Sequence, residues 1–582
     1  IWVALESRSM AHPRYSACSG PLVVVSKSRK DSAMKEVRLN RRQLAAGFAG
    51  FAAATALPFG FSASFVGAAL AQDDGGKTLK LYLGEATNVD LNPIGVRTLG
   101  ANYLQSCIYD GLVVSSPSWD DVEPALAETW EISEDGLIYT FNLRQGVSWH
   151  DGTPFTSADV LFTYKTLLTK AIGSIYATKL LAIAGGQEFY DGTATELTGV
   201  TAPDDSTVVF TLKEPFAPFV FSVLSNHSII PEHVWSSTTA EDMAKPGTWE
   251  KGQIGTGPFK FVSYELDKFL EVDRYDTAWR GKPILDRVLF VTVGSTPEAW
   301  AAALEAGDLD FSQVPATEYE RLQTVSSLVM ATKPVYNVRF LSVNVAKPYL
   351  SDKRVRQAIA HAIDREGICA EILKYSSTPT NVLTPSAKWA NAAVPAYPYD
   401  PEKAKALLAE AGWDANQGLV LSFYYQDQPH ADSMAIVQQQ LTDVGIKATV
   451  NLIDGSTVQS YYYDDAEFDV LMGGFGVSPD FDEFSNVFVS TAVWPAGQNA
   501  MKYSNARVDE LFHEGRITSD EAARKTIYDE LQVILADELP WIPFYNLQLA
   551  AGFSTRVENG DAIFNVWNRP YNWNIEKVDV AE

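Results

Sequence analysis

The sequence predicts an α/β protein, because strand and helix patterns alternate along most of its length. In the clearest unit, strands at 419–425 and 447–453 flank a helix from about 431 to 444. A strand, helix, strand order of this length predicts two parallel neighbouring strands. Apolar and polar residues alternate at 139–144 and 338–345, which predicts strands with one buried face.

Composition and charge exclude several classes of function. With 582 residues, 46% hydrophobic and 20% charged, the chain is long enough for two or three ordinary folded domains. A formal net charge of −26 disfavours nucleic acid as a partner, because phosphate binding needs a basic surface. No nucleophile elbow, zinc-protease motif, C-x-x-C pair or P-loop occurs in the sequence. We therefore expect no catalytic residue, no metal ligand and no cofactor.

The first 71 residues have the features of a targeting segment. A basic region around Arg41 and Arg42 precedes an uncharged stretch, 45–71, that ends in the small-x-small sequence Ala69-Leu70-Ala71. We predict a signal peptide at 34–71, cleaved after Ala71 and exported by a twin-arginine-like or Sec route. The alternative is a membrane anchor, since the stretch is long enough to cross a bilayer. Residues 1–33 are interpreted as a non-native or misannotated extension.

Local signals set the predicted ends of several helices. Ser157 and Ser351 are predicted N-caps, and Gly367 is the predicted end of the second of these helices. Another helix is predicted to start with Asp400 as N-cap, to carry Pro401 at its first position and to end at Gly412. The remaining predicted helices are 297–307 and one long amphipathic helix at 507–535.

Two residue types are open to more than one interpretation. His150 is predicted to be a structural turn residue, because no second His, Cys or acidic residue accompanies it at metal-ligand spacing. Cys107 and Cys369 either pair in an exported protein or remain two buried thiols.

Several sequence segments resemble one protein family. They are I-Y-D-G-L at 108–112, P-A-L-A-E-T-W at 124–130, T-F-N-L-R at 140–144, W-H-D-G-T-P-F-T-S-A-D-V at 149–160, G-T-G-P-F at 255–259, V-R-Q-A-I-A-H-A-I-D-R-E at 355–366 and L-P-W-I-P-F-Y at 539–545. Together they resemble the family 5 extracellular solute-binding proteins, which deliver peptides and other solutes to ABC transporters.

The resemblance implies a periplasmic binding protein-like α/β fold, in which two lobes carry an extra inserted domain and close by a hinge. The implied boundaries are 72–111 plus 252–335 plus 540–582 for the first lobe, 112–251 for the inserted domain and 336–539 for the second lobe.

The resemblance also suggests ligand-binding residues in the cleft. Thr87 and Asn88 lie in the opening loop, although ordinary turn chemistry also explains them. Arg339 lies on the strand that the family uses as a hinge. Ligands bind beyond the carboxyl ends of strands in such lobes, and three residues stand at one of these ends. They are Tyr424, Tyr425 and Gln426, whose aromatic rings would either stack on a ligand or cover the core.

The segment 468–482 is the most informative about the ligand. In peptide-binding relatives a tryptophan here is followed three positions later by an aspartate that binds the ligand's amino terminus. Phe475 and Ser478 take those two positions in this chain, and Val477 and Asp480 are further candidates in the same loop. A buried ammonium without an anionic partner is costly, so we expect a ligand without an essential free α-amine. Asp480 or Asp482 would substitute for the missing aspartate only if the loop were rearranged.

The predicted function is that of an exported, monomeric substrate-binding component of an ABC importer. It would capture a peptide or a peptide-sized compound between its lobes and deliver it to the permease. The alternatives are an oligosaccharide, an opine-like conjugate or a metal chelate as ligand, or a secreted glycosidase with paired carboxylates.

Overall fold

The computed structural model describes residues 76–82, 91–94, 105–174, 176–245, 247–250, 252–266, 268–294, 296–476, 479–564 and 574–581. The predicted extension, the signal peptide and its cleavage site lie outside the described residues, and so do Thr87, Asn88, Val477 and Ser478.

One large mixed sheet runs through the described chain. Its strands are β1 (Thr78–Tyr82), β8 (Phe259–Glu265), β9 (Phe269–Arg274), β10 (Arg287–Val291), β11 (Phe311–Val314), β12 (Leu328–Val343), β13 (Ser377–Pro379), β14 (Gly418–Phe423), β15 (Lys447–Leu452), β16 (Val470–Gly476) and β17 (Trp541–Ser554). Their order is β15-β14-β16-β12-β17-β11-β1-β10-β9-β8, with β13 paired to β17.

Smaller sheets accompany the large one. They are the pair β2 (Val113–Ser115) and β3 (Val122–Pro124), the four-stranded sheet β4 (Ala127–Ile132), β5 (Ile138–Leu143), β7 (Thr207–Thr211) and β6 (Val200–Asp204), and the pair β18 (Val557–Glu558) and β19 (Asp579–Val580).

The α-helices of the described chain lie mostly around the large sheet. They are α1 (Ser157–Leu168), α2 (Ala177–Leu180), α3 (Gly186–Tyr190), α4 (Glu232–Trp235), α5 (Ala240–Met243), α6 (Pro297–Ala306), α7 (Ala316–Leu322), α8 (Lys353–Ala362), α9 (Arg365–Ile368), α10 (Pro401–Ala411), α11 (Gln428–Asp443), α12 (Ser485–Phe488), α13 (Ala506–Ile517) and α14 (Glu521–Glu538). Among the described residues no helix is long and apolar enough to cross a membrane.

The predicted parallel unit is confirmed. Strand β14 pairs with β15 in parallel on one side and with β16 in parallel on the other, and α11 connects β14 to β15. The alternating segment around Tyr139 is also a strand, with Tyr139, Phe141 and Leu143 on its buried face. The carboxyl ends of β14 and β16 therefore lie side by side, where ligand-binding residues were expected.

Two long antiparallel strands, β12 and β17, connect the two halves of the large sheet. The first half of β12 pairs with the second half of β17, next to β11, whereas the second half of β12 lies between β17 and β16. Their register shifts between Pro334 and Val338. A break of this kind interrupts the regular ladder and bends the strand. The division into two lobes and an inserted domain stays a prediction.

Buried cores form on both sides of this break. One cluster is built from residues before 312 and after 550, and two others are built from residues 336–545. Cys107 belongs to the first cluster and Cys369 to one of the others. Both are buried thiols and no disulfide joins them, which answers the question that the sequence left open.

The predicted helix ends are partly confirmed. Helix α10 has Asp400 as N-cap, Pro401 at its start and Gly412 in the left-handed region at its end, as predicted. The N-cap predictions at Ser157 and Ser351 are each wrong by one residue, because Thr156 and Asp352 provide the caps.

Two predicted helix boundaries are wrong, because capping residues end or restart a helix where the hydrophobic pattern continues. Helix α8 ends at Ala362, and Gly367 instead belongs to α9, where its N–H donates to the carboxylate of the N-cap Asp364. The long helix predicted at 507–535 is two helices, α13 and α14. Asp520 starts the second one by accepting from the N–H of Ala523.

Three of the sequence signatures pack against one another. His150 is buried, its Nδ1 accepts from the N–H of Gly255 at 3.2 Å, and its Nε2 lies 2.9 Å from the carbonyl oxygen of Gly257. Asp110 of the I-Y-D-G-L segment accepts from the Thr256 hydroxyl at 2.9 Å. Because Nδ1 accepts a hydrogen bond, it carries no proton, and the ring proton is on Nε2. His150 is therefore neutral, and its Nε2 donates to the carbonyl oxygen of Gly257. His150 is thus the structural residue that the sequence predicted.

We expect the buried, neutral state of His150 to make the fold sensitive to acid. Burial is the main cause that lowers the pKa of His150 from 6.5 to about 4. Between these pH values the unfolded chain binds a proton at His150 that the folded chain does not, so His150 contributes a loss of about 3 kcal/mol as pH decreases through this window. Asp482, whose pKa is raised to about 6, acts in the opposite direction, so the His150 contribution is read from the difference between the wild type and a variant. Urea unfolding at pH 7 and pH 4 measures this loss.

The matched variants for this measurement are His150→Asn and His513→Asn. The asparagine oxygen at 150 can still accept from Gly255 but does not titrate, so between pH 7 and pH 4 the wild type should lose about 3 kcal/mol more stability than this variant. His513 is exposed, and its replacement should leave the pH dependence as it is. Equal pH slopes in the wild type and His150→Asn would contradict the assignment.

Candidate ligand-binding site at the carboxyl ends of the strands

Arg339 lies in the middle of the large sheet, on β12, between Gly474 of β16 and Tyr545 of β17. Its Nη1 donates to Oδ1 of Asn337 at 2.9 Å, and its guanidinium lies 4.9 Å from the centre of the Tyr425 ring. Its Nε is buried and has no hydrogen-bond partner among the described residues. A cation thus lies on β12 in a mainly aromatic setting.

The side chain of Arg339 can occupy its position only because residue 474, opposite it on β16, is a glycine. A Cβ at position 474 would lie 1.7 Å from Nη1 of Arg339 and 2.8 Å from the Tyr425 hydroxyl. Any side chain other than hydrogen would therefore displace the guanidinium. Gly474 is part of the site because of the space that it leaves.

The rings around Arg339 form one connected cluster. Tyr425 packs on Tyr424 with centroids 4.5 Å apart and on His430 with centroids 4.4 Å apart. The hydroxyl of Tyr545 lies 2.9 Å from Nε2 of His430, whose Nδ1 lies 2.6 Å from Asp427, the N-cap of α11. The two tyrosines at the end of β14 therefore pack on one another, and Tyr425 also lies against Arg339.

The cluster keeps Arg339 charged and its phenols neutral. Burial acts to lower the pKa of Arg339, but the oxygens of Tyr425, Tyr545 and Tyr424 outweigh it, and the pKa is raised. Burial raises the pKa of Tyr425 well above its usual value and also raises that of Tyr545. At neutral pH the site thus presents one positive charge.

An aromatic cavity lies on the neighbouring residues of the same strands. Its volume is about 40 Å³, and its lining includes Phe340, Tyr424, Phe475 and Trp541. Phe475 is partly buried and packs on Trp541 with centroids 5.7 Å apart. The cavity is large enough for water or a small apolar group, beside the loop that sequence analysis assigned to the ligand.

The two aspartates at the end of that loop are held in ion pairs. Asp480 accepts from Nη1 and Nη2 of Arg524 at 2.9 and 2.8 Å, and both side chains are buried. Asp482 pairs with Arg516 at 3.2 Å, and burial is the main cause that raises its pKa to about 6. This arrangement gives Asp480 an internal partner and weighs against its direct contact with a ligand.

A loop of the N-terminal half contacts this region from outside the sheet. Asp120, between β2 and β3, accepts from the hydroxyls of Tyr336 and Ser386 at 2.6 and 2.7 Å. Trp119 packs edge-on against Tyr336 with centroids 5.1 Å apart. These contacts join the predicted inserted domain to the predicted second lobe.

Comparison with known proteins identifies the family. Residues 121–495 match the bacterial extracellular solute-binding proteins, family 5 (middle). The chain belongs to this family. The dipeptide-binding protein of Escherichia coli K12 is 32% identical over 488 residues, which cover 80% of this chain and 88% of that protein. Heme-binding protein A of Haemophilus influenzae is 29% identical over 473 residues, covering 78% and 84% of the two chains.

A solved structure agrees with this assignment. The ABC transporter substrate-binding protein CtaP of Listeria monocytogenes superposes with a TM-score of 0.77 and 26% identity, over 87% of this chain and all of CtaP. The α/β fold of the periplasmic binding proteins, expected from the sequence, is therefore that of this family 5 protein.

The structure brings some of the predicted site residues together and separates others. Tyr424, Tyr425 and Phe475 lie at the carboxyl ends of β14 and β16, and Arg339 lies beside them within β12. Gln426 is exposed and makes only long contacts with backbone oxygens. Thr87, Asn88, Val477 and Ser478 lie outside the described residues, and Asp480 is paired as described above.

Sequence reasoning missed four members of this family 5 site: Asp427, His430, Gly474 and Tyr545. Tyr545 ends the segment L-P-W-I-P-F-Y, which resembles the family but from which no ligand-binding residue was predicted. The signal for His430 was its position just beyond the end of β14. Within the described residues no group of three His, Cys, Asp or Glu side chains is arranged to hold a metal ion.

Proposed function

We propose that this family 5 protein is the substrate-binding component of an ABC importer and captures a peptide-sized solute beside β12, β14 and β16. The observation that carries the proposal is that Arg339, on the antiparallel strand β12, lies beside Tyr425 and Phe475 at the carboxyl ends of β14 and β16, where ligands bind in α/β lobes. The relatives named for dipeptide and heme binding support a solute of this size.

The proposal includes the expectation that the solute needs no free α-amine. Ser478 stands where peptide-binding relatives have the amine-binding aspartate. The neighbouring carboxylates of Asp480 and Asp482 are both paired with arginines. An ammonium placed here would have to break a buried ion pair to gain a partner, which costs about 3 to 5 kcal/mol.

Binding without chemical turnover completes the proposal. The mature protein would act as a monomer outside the cytoplasmic membrane after removal of the signal peptide at Ala71, and it would pass its solute to the permease subunits. Lobe closure over the solute is the established movement of periplasmic binding proteins. The contacts of Asp120 with Tyr336 and Ser386 are the kind of contact that closure would form.

A peptide-capture experiment tests this function. A peptic digest of casein is divided into an untreated half and an isotopically labelled half that is acetylated at its amines. The two are mixed with the mature protein, and bound peptides are identified by mass spectrometry. We expect capture from both halves within about threefold, since no carboxylate is available to bind an amine.

Two results would overturn this proposal. Loss of the acetylated half by about tenfold or more would show that the protein binds a free amine. If neither half is captured, peptide-sized compounds of this class are not its solutes.

A further inference from the structure

The hydrogen bonds of Arg339 differ from those of the other buried arginines in the same part of the chain. Arg356 donates to the backbone carbonyls of Leu350, Ser351 and Glu538, with distances from 2.6 to 2.8 Å. Arg365 likewise donates to backbone carbonyls, and Arg524 binds a carboxylate. These three guanidiniums are held by the fold itself.

Arg339 has weaker support from the protein. Its hydrogen-bond acceptors are the neutral side chains of Asn337, at 2.9 Å, and Tyr545. Its Nε donates to nothing among the described residues, and no carboxylate there lies within 4 Å of it. The aromatic ring of Tyr425 attracts the cation but provides no negative charge. A guanidinium has five donors in a planar fork, so most of its capacity to bind an anion is unused.

The nearest negative charge of the cluster is separated from Arg339 by two side chains. Asp427 contacts His430, which contacts Tyr545, and only Tyr545 adjoins Arg339. Asp427 also accepts from the backbone N–H at the start of α11. Its charge is therefore committed to the histidine and the helix, and Arg339 remains without a direct anionic partner.

Arg339 lies on the strand next to β16, which leads into the loop that was assigned to the ligand. Asn337 and Arg339 pair with Gly476 and Gly474 of β16, and residue 476 is directly followed by the loop that contains Ser478. Gly474 leaves the space in which the guanidinium lies, 4.9 Å from the centre of the Tyr425 ring. The arginine as a whole is only partly buried.

We infer that Arg339 is the anion-binding residue of the site and that the solute carries a carboxylate that binds to its guanidinium. The inference rests on the proposed function and specifies its solute: an acid is recognised at Arg339, while the amine end of a peptide has no dedicated partner. A planar guanidinium matches a carboxylate with two parallel hydrogen bonds, and such charge-assisted bonds are the strong ones in a partly dry site.

The experiment uses the same casein digest with a different modification. One half is left untreated and the other, isotopically labelled, is converted to methyl esters, which caps every carboxylate and leaves the amines unchanged. We expect the wild-type protein to capture the untreated half at least about tenfold better. In Arg339→Gln this ratio should fall to about one, and in Arg339→Lys it should be intermediate because a lysine keeps the charge without the fork.

Arg354→Gln is the matched control, because Arg354 is an exposed arginine of the same region that pairs with Asp352. Its acid-to-ester ratio should equal that of the wild type. A melting curve of each variant separates a structural role from a binding role. If Arg339 were only structural, Arg339→Gln would melt earlier and keep the wild-type ratio.

The outcomes distinguish the inference from the function on which it rests. Equal capture of acids and esters by the wild type would overturn the inference and leave the proposed function standing. Capture of neither half would overturn both. Enrichment of Asp and Glu among captured peptides would identify a side-chain carboxylate as the group bound, and its absence would identify the chain terminus.

Discussion

Replacement of Asp480 by alanine is expected to destabilise the protein by about 3 to 5 kcal/mol, because it leaves the buried Arg524 without its anion. Both oxygens of Asp480 accept from Arg524, and the same carboxylate accepts from the N–H of Asp482 at 3.0 Å. Among the described residues no second carboxylate bonds to Arg524, since its other hydrogen-bond partners are the carbonyl of Gly515 and the hydroxyl of Tyr528. Urea unfolding of the mature protein measures the loss.

The double variant Asp480→Ala with Arg524→Met tests whether the pair causes the loss. Removing both charges should recover a large part of the stability, since a hydrophobic replacement of a buried ion pair is often tolerated. Glu530→Ala is the control, because Glu530 pairs with Arg507 on the surface and its loss should change stability little. A protein that keeps full stability after Asp480→Ala but loses its ligand would show that Asp480 contacts the solute after all.

Gly255→Ala is expected to have a comparably large effect, of about 3 kcal/mol or more. A Cβ at position 255 would lie 1.8 Å from the carbonyl oxygen of Ile108. That atom belongs to the backbone, so the clash cannot be relieved by rotation of a side chain. The N–H of Gly255 also donates to His150, so any shift of this segment would disturb the contact between the signatures.

Gly418→Ala is the control for this substitution. No atom lies within 4 Å of a Cβ at position 418, and the backbone there does not need the left-handed region. We expect this variant to unfold at nearly the wild-type urea concentration, or slightly above it. A similar midpoint for Gly255→Ala would show that the two segments can move apart without cost.

The residues that identify the family and the candidate ligand-binding residues lie in different parts of the chain. His150, Gly255 and Asp110 lie in signature segments, yet each is used to hold one segment against another. The candidate ligand-binding residues Arg339 and Tyr425 lie elsewhere, at the strand ends near the break in β12. The signatures therefore hold the scaffold together, whereas the candidate ligand-binding residues lie outside them.

The sequence by itself determined the features that depend on neighbouring residues. Helix α10 follows directly from its cap, its proline and its terminal glycine, and the unit β14, α11, β15 follows from hydrophobic periodicity. The same local reasoning failed at α13 and α14, because one amphipathic pattern continues across the cap that Asp520 provides. Periodicity reports which face is buried and does not show where hydrogen bonding restarts.

Only the tertiary structure decided which polar groups of the site are already paired. Asp480 and Arg339 were both reasonable ligand contacts in the sequence, but Asp480 binds an arginine that follows 44 positions later, whereas Arg339 has no anionic partner among the described residues. Gly474 and Tyr545 flank Arg339 from two neighbouring strands, and His430 contacts Tyr545 from a third segment. Pairing over such separations is set by the register of β12, β16 and β17, and no local pattern encodes it.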